Sequence, residues 1–214
     1  MAYLNWDTKI ITDFSKENVE KMYDAGYVFT RVGLGVMNKT RSFRIELSKF
    51  EMTSENRRIM RKAENYKMKT VSIPLSDYDW SIGKLAKDFY ESRAAEFSAN
   101  KIKELLTDAK ESNFNVLAEF FAAEKFGYAI CYESETIFHY SYPFYIEKTD
   151  EPSRGLCMMT LAIEHAKNSG KKYVYLGSLQ RPSDTYKLQF KGGEWFDGEK
   201  WTTETEQLKS ILTP

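Results

Sequence analysis

The chain has 214 residues, which is enough for one domain with a sizeable core or for two small ones. Apolar residues make up 42% and charged residues 29%, as in ordinary globular proteins, and aromatic residues at 15% can fill much of the core. Lysine plus arginine and aspartate plus glutamate both number 31, so the chain as a whole is not a nucleic-acid-binding polycation. Any RNA contact therefore needs a local basic patch.

The first 67 residues predict a subdomain of short strands and helices. Ser15 is a helix-capping residue, and Gly26 stands where a helix commonly ends in the left-handed conformation. Phe43, Ile45 and Leu47 alternate with polar residues, which predicts a strand with one wet face. The other predictions here are a strand over 27–32, a loop over 36–40 and a polar helix over 55–65 capped by Ser54.

Residues 68–214 predict a larger unit with the element order β-α-α-β-β-β-α-β-α-β. Two helices precede a meander of three strands, and a crossover helix then returns the chain to a strand of parallel type. Asp197-Gly198 is a hairpin signal, and Thr203 with Glu206 predicts a capping box for a last helix. The predicted strands cover 68–73, 115–121, 126–132, 136–142 and 173–176, and the first three helices lie around 80–90, 102–106 and 156–166.

The crossover helix begins with a basic residue and a glycine, which makes its start a candidate anion site. A helix N-terminus carries unpaired N–H groups and a partial positive charge, so it commonly binds phosphate. We predict that Arg154, Gly155 and Leu156 bind the phosphates of an acyl carrier. Plain helix capping is the alternative that the same residues allow.

The element order resembles that of the GNAT acyltransferases. In that fold two neighbouring strands splay apart, and the carrier's phosphates rest on the helix after the meander, in a loop that usually reads Arg/Gln-x-x-Gly-x-Gly/Ala. Here the segment is Pro152-Ser153-Arg154-Gly155-Leu156-Cys157, with a cysteine in place of the last small residue. The resemblance implies a mixed-sheet α/β protein, with an N-terminal subdomain over 1–67 and a GNAT-like domain over 68–214.

Three stretches resemble the aminoacyl-tRNA–protein transferases, which are the arginyl- and leucyl-transferases that extend acidic protein N-termini. Tyr175-Leu176-Gly177 and Tyr186-Lys187-Leu188-Gln189-Phe190 match that family's Tyr-Leu-Gly and Tyr-Lys-x-x-Phe motifs. Phe126-Gly127-Tyr128-Ala129 stands for Val-Gly-x-Ala, and the N-terminal motifs are matched through Arg44-Ile45 and Ser54-Glu55-Asn56-Arg57-Arg58. The family's N-terminal cysteine cluster has no counterpart here, because residues 33–40 contain no cysteine.

The resemblance implies formation of a peptide bond between an aminoacyl ester, carried by tRNA, and an amine at a protein or peptide N-terminus. An α-amine with a pKa of about 7.7–8.0 is partly neutral at pH 7, so a strong general base is not obligatory. We predict that Tyr186 donates a proton to the leaving hydroxyl and that Lys187 holds the terminal phosphate or the ribose. The alternative is a packed Tyr186 beside a solvated Lys187. His139 and His165 are predicted to be packed or surface residues rather than bases.

Two further groups of residues are candidates for contact with the donor. The basic face of the second helix is predicted to bind the tRNA acceptor stem, although an ordinary solvated face has the same pattern. Tyrosines of the meander and the Tyr-Leu-Gly strand are predicted to form the substrate pocket, with packing as the alternative. The first group is Arg57, Arg58, Arg61 and Lys62, and the second is Tyr140, Tyr142, Tyr175 and Gly177.

Metals and membranes are not expected to take part. Cys131 and Cys157 have no neighbours at metal-ligand spacing, so we predict no bound metal or other cofactor. We predict two buried free thiols, with a disulfide between them as the alternative. The N-terminus lacks the pattern of a signal peptide, and no apolar run reaches about 20 residues, so a cytoplasmic protein without membrane contact is expected.

Two other functions remain open at this stage. One is acyl transfer from an acyl-CoA, and the other is a GNAT-like module that binds a peptide N-terminus or RNA without catalysis. The sequence leaves the transferred group, the acceptor and the oligomeric state undefined.

Overall fold

The computed structural model describes residues 4–148 and 153–212. Within these ranges the strands form one sheet of three and one sheet of eight. The small sheet has the order β1-β3-β2 and is antiparallel throughout. Its elements are β1 (Asp7–Ile10), α1 (Lys16–Asp24), β2 (Tyr27–Phe29) and β3 (Val36–Lys39).

The start of the chain follows the predicted caps but not the predicted loop. The Ser15 hydroxyl accepts the Asn18 N–H at the start of α1, and Gly26 has a φ of 84° just after its end, so both predictions are confirmed. The loop predicted over 36–40 is wrong, because that segment is β3, the central strand of the small sheet. Pairing on both sides stabilises a strand whose sequence carries no strand signal of its own.

The large sheet has the order β11-β10-β4-β9-β8-β7-β6-β5. All neighbours pair antiparallel except β8 and β9, which run parallel and are joined by the crossover helix α5. The strands are β4 (Ser42–Glu46), β5 (Lys67–Ser72), β6 (Val116–Phe121), β7 (Lys125–Glu133), β8 (Ile137–Tyr145), β9 (Tyr173–Ser178), β10 (Gly193–Phe196) and β11 (Trp201–Thr202). The helices are α2 (Ser54–Lys62), α3 (Trp80–Glu91), α4 (Ala99–Thr107), α5 (Arg154–Asn168), a 3₁₀ helix (Pro182–Gln189) and α6 (Thr205–Leu212).

The meander, the crossover helix and the parallel strand that follows give a GNAT-like α/β fold, as predicted. Strands β5 to β9 lie in one mixed sheet with α5 packed on it. A boundary at residue 67/68 does not separate two sheets, however, because β4 pairs with β9 on one side and β10 on the other. The N-terminal segment thus supplies a central strand of the larger sheet.

Apolar cores cover both faces of the large sheet. One core packs α5 and α6 against side chains such as Phe138 and Trp195. The other packs α1, α3 and α4 against the opposite face, with Tyr23 and Tyr175 at its centre. A cleft lies where the sheet between these two cores splits.

The wet face predicted for β4 is wrong. Arg44 is buried, and its guanidinium lies 3.9 Å from the ring centre of Tyr173 and 4.0 Å from that of Trp201. It forms ion pairs of 3.0 Å with Asp24 and with Glu194. A charged residue can occupy this position because its partners neutralise it and two rings cover it.

Two predicted helix starts also differ. The Thr53 side chain, rather than Ser54, caps α2 and forms a capping box with Asn56. The capping box predicted for Thr203 and Glu206 does not form, because α6 begins at Thr205 and Glu206 lies within its first turn. In both cases the shift is one or two residues, the usual uncertainty of helix boundaries.

Candidate functional site

A cleft opens where β8 and β9 stop pairing. The two parallel strands pair from Ile137 with Tyr173 to His139 with Tyr175, and beyond this point β8 runs on to Tyr145 while β9 ends at Ser178. We call the end of this pairing the fork. In a sheet, such a divergence leaves backbone and side chains of both strands open to a ligand.

The main cleft has a volume of about 600 Å³ and begins at the fork. It is lined by both strands, by the loop after β9, by the 3₁₀ helix and by β2 with the loop after it. The residues that line it include Thr30, Arg31, His139, Tyr140, Tyr142, Met159, Gly177, Ser178, Asp184, Tyr186 and Lys187.

A side chamber of about 410 Å³ adjoins the main cleft at the N-terminus of α5. Ser153 and Gly155 line it from the helix, and Phe89, Arg93 and Tyr145 line it from the other side. Both cavities are lined by Tyr140, Pro143, Met159 and Tyr186. A carrier at the start of α5 and an acceptor in the main cleft could therefore meet across these shared residues.

Tyr186 belongs to both cavities. Its side chain is 45% exposed, yet partial burial raises its pKa to about 12, with the Asp184 carboxylate as a further cause. The phenol is thus neutral at physiological pH and can donate a proton or a hydrogen bond. This position fits the predicted role of a proton donor, which remains a prediction.

Lys187 lines the main cleft and is buried rather than solvated. It is only 7% exposed, and its Nζ donates a hydrogen bond of 2.8 Å to the Ser178 carbonyl oxygen. Burial lowers the pKa of this amine, while the Asp184 carboxylate acts in the opposite direction. The solvated alternative for Lys187 is therefore wrong.

The loop between β9 and the 3₁₀ helix is fixed by Asp184. One carboxylate oxygen accepts the backbone N–H of Gln180 at 2.7 Å and that of Arg181 at 2.9 Å. Upstream, Gly177 has a φ of 78°, and a Cβ on it would lie 3.8 Å from the Lys187 Nζ. The Tyr-Leu-Gly and Tyr-Lys motifs thus meet at one wall of the cleft.

Three of the four residues predicted for the substrate pocket line the main cleft, namely Tyr140, Tyr142 and Gly177. Tyr175 does not, since it is 1% exposed and packs against Tyr23 with ring centres 4.8 Å apart. Its hydroxyl lies 3.2 Å from Arg44. Tyr175 lies within the part of β9 that still pairs with β8, and its ring packs in the core with Tyr23, so the prediction of a pocket role for it is wrong.

The predicted phosphate site is occupied largely by the protein's own side chains. Arg154 is 3% exposed, donates to the Ile146 carbonyl oxygen at 2.7 Å and lies 4.4 Å over the Phe126 ring, so its side chain does not line the side chamber. A Cβ on Gly155 would lie 2.6 Å from the Tyr145 hydroxyl. A direct phosphate contact by the Arg154 side chain is therefore contradicted by its burial. Gly155 and Leu156 do line the chamber.

The predicted tRNA-binding residues lie on α2, which packs on the first turns of α5 through Ile59 and Cys157. Arg58 forms an ion pair with Glu55, whereas Arg57 and Arg61 line a groove of about 470 Å³ on the outer face of α2. Lys62, in the last turn, is exposed. Whether this face contacts RNA stays a prediction.

Sequence reasoning assigned no function to two residues of the cleft. His139 stands at the fork with its Nδ1 2.9 Å from the Tyr23 hydroxyl. Arg31 lies 4.0 Å over the Phe97 ring at the cleft wall. A histidine in an aromatic strand and an arginine in a loop are common in proteins. No sequence signal therefore marks these two as cleft residues, and only the position of the fork does.

No metal site accompanies the cleft in the residues that the structure describes, where no three His, Cys, Asp or Glu side chains are arranged to hold an ion. Cys131 and Cys157 are buried and are not joined in a disulfide, as predicted. The metal content of the protein remains a prediction. Over the same ranges, no helix combines the length and the apolar character needed to cross a bilayer.

Comparison with known proteins supports the fold. No protein-family model and no curated protein matches the chain. L-PGS from Bacillus licheniformis is 11% identical with a TM-score of 0.51, and the match covers 93% of this chain and 71% of that one. The GCN5-related glucosamine N-acetyltransferase region of a fungal multi-domain GH3 β-N-acetylglucosaminidase is 9% identical with a TM-score of 0.49, covering 87% and 22%. A tandem GNAT protein from the clavulanic acid biosynthesis pathway is 7% identical with a TM-score of 0.42, covering 88% and 60%.

At these identities the likeness concerns the fold alone. The chain has the GNAT-like fold that its element order predicted. Its resemblance to the arginyl- and leucyl-transferases stays a prediction based on the motifs.

Proposed function

We propose that the protein transfers an aminoacyl group from the 3′ end of a charged tRNA to an amine in the main cleft. The observation that carries this proposal is the pair of adjoining cavities, both of which are lined by the neutral Tyr186. Two substrates that approach from different sides need such a junction.

The proposed reaction needs one proton donor and no covalent intermediate. The neutral amine attacks the ester carbonyl carbon, an amide bond forms, and the bond between that carbon and the ribose oxygen breaks. Tyr186 gives its proton to the leaving ribose oxygen, and the proton lost by the amine restores Tyr186 directly or through water. A general acid in such a position contributes about 10²–10⁴-fold to the rate.

Lys187 supports the same wall of the cleft. Its hydrogen bond to the Ser178 carbonyl oxygen holds the end of β9 next to Tyr186. Burial lowers the pKa of this amine, and its remaining N–H bonds can be donated to a ribose oxygen or a phosphate.

The start of α5 favours an aminoacyl-tRNA over a coenzyme A ester. A pyrophosphate cradle needs open space above the glycine of the turn. Here the Tyr145 phenol fills the space at Gly155, and Arg154 is engaged in the interior. The α2 groove with Arg57 and Arg61 instead offers charge for an RNA backbone, on a helix that packs against the first turns of α5.

Acyl transfer from an acyl-CoA is the second candidate. The observation in its favour is that Ser153 and Gly155, at the N-terminus of α5, still line the side chamber. Under either proposal the acceptor is an amine, for which a protein or peptide N-terminus in the cytoplasm is our choice.

Donor binding separates these proposals. We expect charged tRNA to be retarded in a gel shift with the protein, and CoA esters to leave its thermal midpoint unchanged. A thermal shift with CoA esters and no tRNA binding would favour the second candidate. Binding of either donor without any turnover would favour a non-catalytic module.

A further inference from the structure

His139 is the last residue of β8 that pairs with β9, so its side chain stands at the vertex of the fork. It is 2% exposed, yet it lines the main cleft. Its Nδ1 lies 2.9 Å from the Tyr23 hydroxyl. Within the described residues the other ring nitrogen, Nε2, has no hydrogen-bond partner, so it is the nitrogen available to a ligand.

The surroundings of Tyr23 determine which nitrogen carries the hydrogen. Tyr23 is fully buried, and Nδ1 of His139 is the one hydrogen-bond partner that its hydroxyl has among the described residues. A buried O–H without an acceptor is costly, so Tyr23 donates its hydrogen to Nδ1. This assigns the hydrogen of the ring to Nε2.

The ring is also held neutral. Burial lowers the pKa of His139 to about 3. The titratable side chains around it are Tyr23, Tyr132 and Tyr175, and burial raises the pKa of each, so none of them is charged between pH 5 and 8. A neutral imidazole of this kind is a poor base and a good hydrogen-bond donor to a carbonyl oxygen.

We propose that the Nε2–H of His139 donates a hydrogen bond to the carbonyl oxygen of the reacting ester, and that Tyr23 is the positioning residue that fixes its tautomer. This inference rests on the proposed function for the identity of the ester. The donor is preorganised, because the ring is packed between Tyr23 and Tyr175. Such a donor strengthens its bond as negative charge develops on the oxygen.

The first test is spectroscopic and needs no turnover. In ¹⁵N NMR of the full chain, we expect His139 to remain the neutral Nε2–H tautomer from pH 5 to 8. The Nε2 resonance should shift when an amide-linked aminoacyl-adenosine, a non-hydrolysable mimic of the tRNA 3′ end, is added. A protonated ring at pH 6, the Nδ1–H tautomer, or an Nε2 resonance that does not shift when the mimic binds would overturn the inference.

The second test is kinetic. His139→Phe should lower kcat by about 10²-fold with little change in KM for the donor, while His139→Gln, which keeps an N–H near the Nε2 position, should stay within about tenfold of the wild type. The kcat of Tyr23→Phe should lie between those of His139→Phe and His139→Gln. Its NMR spectrum should show a change in the tautomer of His139. His165→Gln is the matched control, because His165 lies on α5 against Phe138 and outside the cleft.

The outcomes separate the two proposals. A wild type that transfers no aminoacyl group contradicts the proposed function, while the NMR tautomer and its response to the mimic still decide the role of His139. An active wild type with an equally active, folded His139→Phe variant contradicts the role of His139 alone. If His139→Phe does not fold, the comparison of Tyr23→Phe with His165→Gln decides.

Discussion

At the scale of single residues, burial sets the protonation state of the groups around the fork. The pKa of Tyr186 is raised, and those of His139 and Lys187 are lowered, with burial as the first cause in each case. Every one of these shifts favours the neutral form of the side chain. At physiological pH, Tyr186 and His139 are therefore neutral groups that can donate a hydrogen bond or a proton in the cleft.

The shift at His139 predicts a pH dependence of stability. The unfolded chain binds a proton at this residue below its ordinary pKa of about 6.5, whereas the folded protein does so only near the pKa of about 3. The neutral imidazole therefore makes its full contribution to the free energy of unfolding above about pH 6.5. This contribution is lost as the pH falls from 6.5 towards 3, and the loss reaches about 2 kcal/mol at pH 5.

Denaturant unfolding at pH 7 and pH 5 measures this loss. His139→Gln should reduce the difference in free energy of unfolding between pH 7 and pH 5 by about that amount. His165→Gln, at a half-buried position, should change this difference far less. Identical pH dependences for the wild type and His139→Gln would show that His139 is charged in the folded state.

At the scale of elements, close packing at the start of α5 defines the side chamber. Tyr145 of β8 lies over Gly155, and a Cβ there would approach its hydroxyl to 2.6 Å and its ring carbons to 3.1 and 3.2 Å. The glycine of the predicted phosphate loop therefore serves to admit a tyrosine ring. The sequence motif is the same for both purposes, which is why the motif could not distinguish them.

Gly155→Ala should destabilise the protein by about 1–2 kcal/mol, because the clash outweighs the better helix propensity of alanine. Tyr145→Phe in the same chain should recover part of the loss, since it removes the closest atom. A double-mutant cycle by denaturant unfolding measures the coupling. Strict additivity of the two substitutions would mean that the two residues do not touch.

Arg44 stabilises the part of the sheet in which β4 pairs with β9 and β10. Arg44→Ala should cost about 3–5 kcal/mol, because it leaves the mostly buried Glu194 carboxylate without its partner and removes the cation between two rings. Arg58→Ala, which breaks the exposed pair with Glu55, should cost less than about 1 kcal/mol. Equal losses in thermal or denaturant unfolding would contradict the role assigned to Arg44.

Elements with strong local signals could be predicted from the sequence, and those held by tertiary contacts could not. The apolar stripes of α3 and α5 and the Asp197-Gly198 turn between β10 and β11 lie where the patterns indicated. β3 has no apolar alternation and exists because it pairs on both sides. In the cleft, the Tyr-Lys motif indicated Tyr186 and Lys187, but no local pattern encodes the fork that exposes His139.

At the scale of the whole molecule, α2 and α4 lie on opposite faces of the large sheet. α2 packs on α5, whereas α4 packs on α3 against the other core. In the proposed function the tRNA lies along α2, whose groove is lined by Arg57 and Arg61. The exposed charges on the two helices should therefore differ in their effect on RNA binding.

Arg57→Ala together with Arg61→Ala should lower the slope of log affinity against log salt concentration by roughly two, one for each phosphate that is no longer neutralised. Lys103→Ala with Lys110→Ala, which removes two exposed charges on and after α4, should leave the slope unchanged. Titrations of charged tRNA between about 50 and 200 mM salt, the range over which such slopes are commonly resolved, give the comparison. Equal slopes for both double variants would rule out the α2 surface.

The central claim is that the cleft at the fork moves an aminoacyl group from tRNA to an amine with Tyr186 as the proton donor. The most direct measurement follows a labelled amino acid from charged tRNA to a peptide N-terminus, with Tyr186→Phe and an acyl-CoA donor measured in parallel. We predict a labelled amide from charged tRNA, none from the CoA ester, and a kcat at least about 10²-fold lower in Tyr186→Phe with tRNA affinity retained. Amide formation from the CoA ester alone, or an unimpaired Tyr186→Phe variant, would contradict the account.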